Sequence, residues 1–173
     1  MRNSLTPRPT SHVTHPTAGW VFQNLWRILA FGLGSGLLRP APGTWGTLLA
    51  WGLWAGLLHR MPDLYVLIFL LAAFALGCVA CERTGRAMGV SDHGGMVWDE
   101  MVAFWLVLWL SPDSVFAQAV AFGLFRAFDI MKPQPIRYFD ARLKGGFGVM
   151  WDDLLAAAYS LLVMAVLVTF GAF

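Results

Sequence analysis

Charge is scarce in this sequence: Asp, Glu, Lys and Arg make up only 13% of its 173 residues, about half the share in ordinary soluble domains. So little polar surface cannot wrap the 58% of residues that are hydrophobic, and a large soluble core is excluded as the simplest reading. The net charge is only +2, without the clustered basic face that nucleic-acid binding needs, so nucleic acid is not an expected partner. Cysteine is scarcer still, with two residues. Cys78 and Cys81 lie inside an apolar run, which excludes a secreted disulfide framework and makes packing a better reading of their CxxC spacing than redox chemistry. The N-terminal stretch 1–19 lacks the apolar core and small-residue cleavage site of a secretory signal. It reads as a flexible polar tail kept in the mature chain, with His12 and His15 solvated rather than metal-binding, ahead of a single membrane-embedded domain over 20–173.

Apolar sequence is abundant, and its mean hydropathy of +0.62, nine Trp and thirteen Phe point to a bilayer with aromatic interfaces. The hydrophobicity falls in blocks 45–58, 65–81, 101–125 and 154–173, the third broken by Ser111-Pro112-Asp113-Ser114. A Pro-containing polar break of this kind predicts a hairpin between helices. The expected fold is therefore all-α, a polytopic membrane bundle of about four to five apolar helices. With the N-terminus inside, every Lys and Arg except Arg60 falls on the cytoplasmic side, as the positive-inside rule requires. The acids obey no such rule, yet all except Asp63 and Asp113 share that side. Carboxylates at apolar helix ends need a cation, a partner or water, which predicts an active site at the cytoplasmic face.

Four polar segments carry candidate chemistry. In 91–100, Asp92 and His93 precede Asp99 and Glu100, which stand at a helix entrance where they either cap the helix or hold a metal. In 125–137, Arg126 and Asp129 share a helix face at i, i+3, and Pro133 and Pro135 then force the chain out of the helix. Arg126, Lys132 and Arg137 suit a phosphate, and a topogenic positive loop is the plain alternative. In 144–153, three glycines precede Asp152 and Asp153, a second acid pair at the start of an apolar helix, and no Gly-Lys-Ser/Thr makes it a Walker loop. The segment 32–47 is too rich in Gly and Pro for a regular span and reads as a re-entrant or interfacial loop, with Thr44 and Thr47 as polar contacts.

Two acidic helix ends meeting across a bundle suit Mg²⁺, which takes hard oxygen ligands, offsets phosphate charge and acidifies water. His93 is either a general acid for the leaving alcohol or an orienting hydrogen-bond donor.

Taken in order, GSGLLRPAPGTWGT, DHGGMVWDE, FRAFDIMKPQPIRYFD and GGFGVMWDD resemble the motifs of phosphatidylglycerophosphatase A, a family of bacterial membrane phosphatases, from about Trp26 to the last helix. The resemblance implies Mg²⁺-dependent hydrolysis of phosphatidylglycerol phosphate, an anionic lipid, to phosphatidylglycerol and inorganic phosphate at the inner membrane. By that resemblance, Asp99, Glu100, Asp129, Asp152 and Asp153 are candidates for metal and water activation, and Arg126, Lys132 and Arg137 for the phosphate. A CDP-alcohol phosphotransferase is the nearest alternative, but its Asp-Gly before Ala-Arg is missing and Asp152 and Asp153 are adjacent rather than spaced. Lipid phosphatases with a PSGH segment are excluded because no such segment occurs. A small transporter or assembly subunit would put charges near the bilayer midplane, and the apolar blocks hold essentially none. The sequence sets no oligomeric state.

Overall fold

A computed structural model describes residues 16–173, and every regular element among them is helical. Tail residues 1–15, with His12 and His15, lie outside the described residues. The short helices α1 (Ala18–Phe22) and α2 (Leu25–Ala30) come first, their N-termini capped by Thr17 and Asn24 side chains that accept from Trp20 N and Trp26 N. A pair of 3₁₀ turns over Gly32–Leu37 leads to α3 (Pro42–Gly56). Proline at the first position costs α3 no hydrogen bond and presets φ, so the helix begins inside the segment expected to be a loop. Residues 42–47, Thr44 and Thr47 among them, are helical.

The long helix α4 (Asp63–Met88) opens after Pro62 and closes on Gly89, whose φ of 75° permits the left-handed cap that returns Gly89 N to Arg86 O and Val90 N to Gly85 O. α5 (Trp98–Leu110) and α6 (Val115–Met131) form the expected hairpin, with Ser114 Oγ accepting from Ala117 N at 3.1 Å to start α6. α6 stops one residue before Lys132 and two before Pro133, then α7 (Ile136–Arg142) and α8 (Gly145–Thr169) complete the chain.

α5 is the centre of the bundle. Its residues Met101, Val102, Ala103, Phe104, Trp105, Val107 and Leu108 are all buried, and Trp98 Nε1 and Trp105 Nε1 donate to Ala73 O of α4 and Ala50 O of α3 at 3.0 and 2.8 Å. α8 packs against α4, α5, α6 and α7, while α3 packs on α5 and α2 on α4. Close approach of α8 to α4 depends on Gly146, because a Cβ there would collide with the Cys78 carbonyl.

Two helices, α4 and α8, are long and apolar enough to cross a bilayer. Only a third of each apolar window is buried, and α4 turns Leu64, Tyr65, Leu67, Ile68, Leu71, Leu76 and Val79 outward. At 15, 13 and 17 residues, α3, α5 and α6 fall below the roughly 20 residues of a full span. The expected four to five crossings are thus supported at two. The apolar run of α5 fills the protein interior, an environment that selects the same residues as lipid does.

Candidate active site

The C-terminal ends of α4 and α6 and the N-terminal parts of α3, α5 and α8 meet at one end of the bundle, and the acids gather there. Asp99 and Glu100 occupy the first turn of α5, as their position before an apolar run led us to expect. Asp152 and Asp153 do not stand at a helix start. α8 begins at Gly145, so both acids lie about two turns inside it. The chain turns into α8 at Gly145, whose φ is 76°, while Gly146 and Gly148 are helical and Gly146 serves the contact with α4. Tertiary packing overrides the poor helix propensity of glycine at these positions.

Arg126, on α6, bridges two acids. Its Nη1 lies 2.6 Å from Glu100 Oε2 and 2.9 Å from Asp129 Oδ2, with all three side chains at most 15% exposed. Thr47 Oγ1, itself donating to Gly43 O at 2.8 Å, lies 3.4 Å from both Glu100 Oε2 and Arg126 Nη1. Gly43 makes room for this group, since a Cβ on it would overlap the Glu100 carboxylate. On the other side, Lys132 Nζ forms ion pairs with Asp152 Oδ2 and, at 3.2 Å, with Asp140 Oδ1. Lys132 caps α6 in the left-handed conformation at φ 42°, which turns the chain toward α7. Burial works against its ammonium charge, but the bonds and charges of Asp152 and Asp140 prevail and hold the pKa above the ordinary lysine value.

Between these two cations the carboxylates lie within electrostatic reach of one another: Asp153 of Asp129, Asp99, Asp152 and Glu100, and Asp99 of Glu100, Asp92 and Asp152. Asp99 Oδ1, Asp152 Oδ1 and Asp153 Oδ2 are buried without a hydrogen-bond partner, as is Arg126 Nε. Buried carboxylate oxygens left unpaired are costly, and hard oxygen donors are the chemistry a divalent cation takes. Among the described residues no three His, Cys, Asp or Glu side chains form a closed metal-binding set. Mg²⁺ rarely has such a cage; one or two carboxylates, several waters and substrate phosphate are its usual partners.

The loop between α4 and α5 places Asp92 and His93 beside the cluster. Asp92 reaches solvent, yet the protein bulk around it raises its carboxyl pKa, with Lys132 opposing and Asp140 and Asp129 reinforcing the shift. His93 Nδ1 accepts from Gly95 N at 3.0 Å, an arrangement that leaves the imidazole proton on Nε2. Two predicted phosphate ligands are less engaged. Thr44 is half-buried in the first turn of α3, and Arg137 is exposed on α7, outside the ion pairs formed among the described residues.

Two participants were not singled out from the sequence. Asp140 is the second partner of Lys132, and Glu82 Oε2 accepts from Gly146 N at 2.8 Å, fixing the start of α8 on α4. Glu82 also pairs with Arg86 at i, i+4, the only relation of Glu82 visible along the chain.

Residues 28–168 match the family model described as phosphatidylglycerophosphatase A, which spans all four motifs. The chain belongs to the phosphatidylglycerophosphatase A family. The phosphatidylglycerophosphatase A of Haemophilus influenzae is 50% identical over 138 residues, covering 79% of this chain and 85% of the relative. That of Escherichia coli is 41% identical over 138 residues, covering 79% and 80%. A Bacteroides thetaiotaomicron protein named a putative phosphatidylinositol-3-phosphatase is 39% identical over 147 residues, covering 80% and 91%. No solved structure matches the chain. As a member of the phosphatidylglycerophosphatase A family the chain is an enzyme, a phosphatase acting on phosphoester bonds.

Proposed function

We propose that this phosphatase hydrolyses phosphatidylglycerol phosphate to phosphatidylglycerol and inorganic phosphate, with Mg²⁺, at the cytoplasmic face of the bacterial inner membrane. The observation that carries the reading is the set of unpartnered buried oxygens on Asp99, Asp152 and Asp153, flanked by Arg126 on one side and Lys132 on the other. A phosphomonoester needs both kinds of group, cations for its oxygens and carboxylates for a metal and a water. The names of the Haemophilus influenzae and Escherichia coli relatives support the lipid identity.

The candidates to hold Mg²⁺ are Asp99, Asp152 and Asp153, with Glu100 and Asp129 beside them, and the ion would neutralise phosphate charge and lower the pKa of an attacking water. Arg126 and Lys132 exchange part of their carboxylate contacts for phosphate oxygens and orient the phosphoryl group. Asp153, the deepest of the acids at 3% exposure, takes the proton of the water as it attacks phosphorus. The bond from phosphorus to the glycerol oxygen breaks, and Asp92, on the loop beside the cluster, protonates that oxygen. His93, its Nδ1 engaged by the Gly95 N–H, positions the phosphate. Arg137 and Thr44 contact the head group at the rim. The concentration of Lys and Arg at this end supports the cytoplasmic location, and α3 and α6 would complete the membrane bundle around α5 and the two spanning helices.

The test is phosphate release by the detergent-solubilised full chain from phosphatidylglycerol phosphate and, in parallel, phosphatidylinositol 3-phosphate. Preferential release from the glycerol lipid supports the proposal. Release from the inositol lipid alone would move the substrate to the class named for the Bacteroides thetaiotaomicron relative.

A further inference from the structure

Away from the carboxylate cluster, α2 and the C-terminal part of α4 enclose a cavity of about 250 Å³ lined by Asn24, Trp26, Arg27, Arg83, Thr84 and Ala87. None of the six is acidic, and among the described residues neither Arg27 nor Arg83 forms an ion pair. Aromatic rings hold both guanidiniums in place: Arg83 lies 4.6 Å from the Trp26 ring centroid and Arg27 lies 3.9 Å from that of Trp20. Arg27 spends one N–H on Trp20 O at 3.1 Å, and its remaining donors enter no ion pair among the described residues. Thr84 Oγ1 donates to Trp26 O at 3.3 Å and fastens α2 to α4, so the two arginines are presented by a packed helix pair.

The position of the cavity in the membrane decides what it meets. Arg83 follows Asp63, the first residue of α4, by twenty positions, a helical rise of about 30 Å, which is the thickness of the hydrocarbon core. With Asp63 at one interface, Arg83 stands at the other, level with Trp20 and Trp26. Beside the cavity, Phe22 and Leu25 are 55% and 81% exposed, apolar groups suited to acyl chains. Aromatic rings, unpaired arginines and exposed apolar side chains at one depth match a phospholipid head group with its chains below.

We propose that this cavity binds the phosphate of a resident anionic phospholipid, gripped by Arg27 and Arg83, as a site separate from the one where phosphate is cleaved. Guanidinium forks match phosphate oxygens in pairs, and a lipid held there seats α1 and α2 on the membrane surface. The inference rests on α4 crossing the bilayer and not on the identity of the reaction.

The experiment places the full chain in phosphatidylcholine nanodiscs doped with phosphatidylglycerol and counts retained lipid by native mass spectrometry. The wild type retains phosphatidylglycerol in preference to phosphatidylcholine, and Arg83→Gln or Arg27→Gln lowers that occupancy about tenfold, the loss of one charge-assisted phosphate contact. Arg86→Gln, the same change of charge at a side chain already paired with Glu82, leaves it unaltered. Equal retention by Arg83→Gln, Arg27→Gln and wild type overturns the proposal, as does equal loss in Arg86→Gln. Retention of phosphatidylcholine as tight as that of phosphatidylglycerol also overturns it, and so does displacement by inorganic phosphate, which would mark a free-anion site. Phosphate release from the same preparations tests the reaction separately: arginine-dependent retention by an inactive wild type refutes the proposed activity and leaves this site standing.

Discussion

Replacing Arg126 with glutamine removes the cation that faces Glu100 and Asp129 at 2.6 and 2.9 Å and leaves two nearly buried carboxylates beside further acids. Breaking a buried ion pair from one side costs about 3–5 kcal/mol, because the remaining charge keeps its desolvation penalty and loses its partner. In a chain of this size each kcal/mol moves the unfolding midpoint by about 2–4 °C, so Arg126→Gln should lower it by about 6–20 °C in detergent. Removing the facing charge as well should recover part of that loss. The double variant Arg126→Gln/Glu100→Gln is expected to be more stable than the two single changes sum to, by about 1.5–3 kcal/mol, the range for a hydrogen bond involving charge. Thermal unfolding of the wild type, both single variants and the double variant supplies the cycle. A coupling below about 0.5 kcal/mol, within ordinary additivity, would refute the claim that Arg126 and Glu100 act on each other as the geometry states.

Four further substitutions probe separate parts of the account. Gly43→Ala drives a Cβ into the Glu100 carboxylate and should reduce phosphate release while costing about 1–3 kcal/mol in thermal unfolding. Gly146→Ala meets the rigid Cys78 carbonyl and should destabilise the α4–α8 contact by at least the same amount, read from the unfolding midpoint. Lys132→Met leaves Asp152 and Asp140 without their cation and should lower kcat by about 100-fold or more, the scale of losing an electrostatic contact to the reacting group. Trp98→Phe deletes the 3.0 Å bond to Ala73 O and should cost about 1 kcal/mol of stability, with kcat changed less than threefold by roughly that argument.

Much of the candidate site can be read from the chain because its residues come in short, chemically dense strings. The i, i+3 relation of Arg126 and Asp129 is local and appears as the 2.9 Å ion pair. The Ser111–Ser114 break is local as well, and Ser114 caps α6. Long-range pairing is hidden: Glu100 and Arg126 are 26 positions apart, and Glu82 and Gly146 are 64 apart. No periodicity or spacing selects one acid from ten as the partner of a particular amide or cation. The packing role of Gly146 is hidden for a different reason. The intrinsic preference of glycine is for turns, whereas contact with α4 makes the missing Cβ a packing requirement in a helix. Two of the expected crossings are supported, and the sequence does not separate the others because burial in protein and exposure to lipid demand the same apolar residues, as the buried run of α5 shows.

The central claim is that this carboxylate cluster hydrolyses a lipid phosphomonoester with a divalent metal. It is tested most directly by phosphate release from phosphatidylglycerol phosphate by the folded wild type and by Asp99→Asn, each with Mg²⁺ and with chelator. The account predicts release that requires Mg²⁺ and falls by at least about 100-fold in the variant. Undiminished release by Asp99→Asn, or undiminished release by the wild type in chelator, would contradict it.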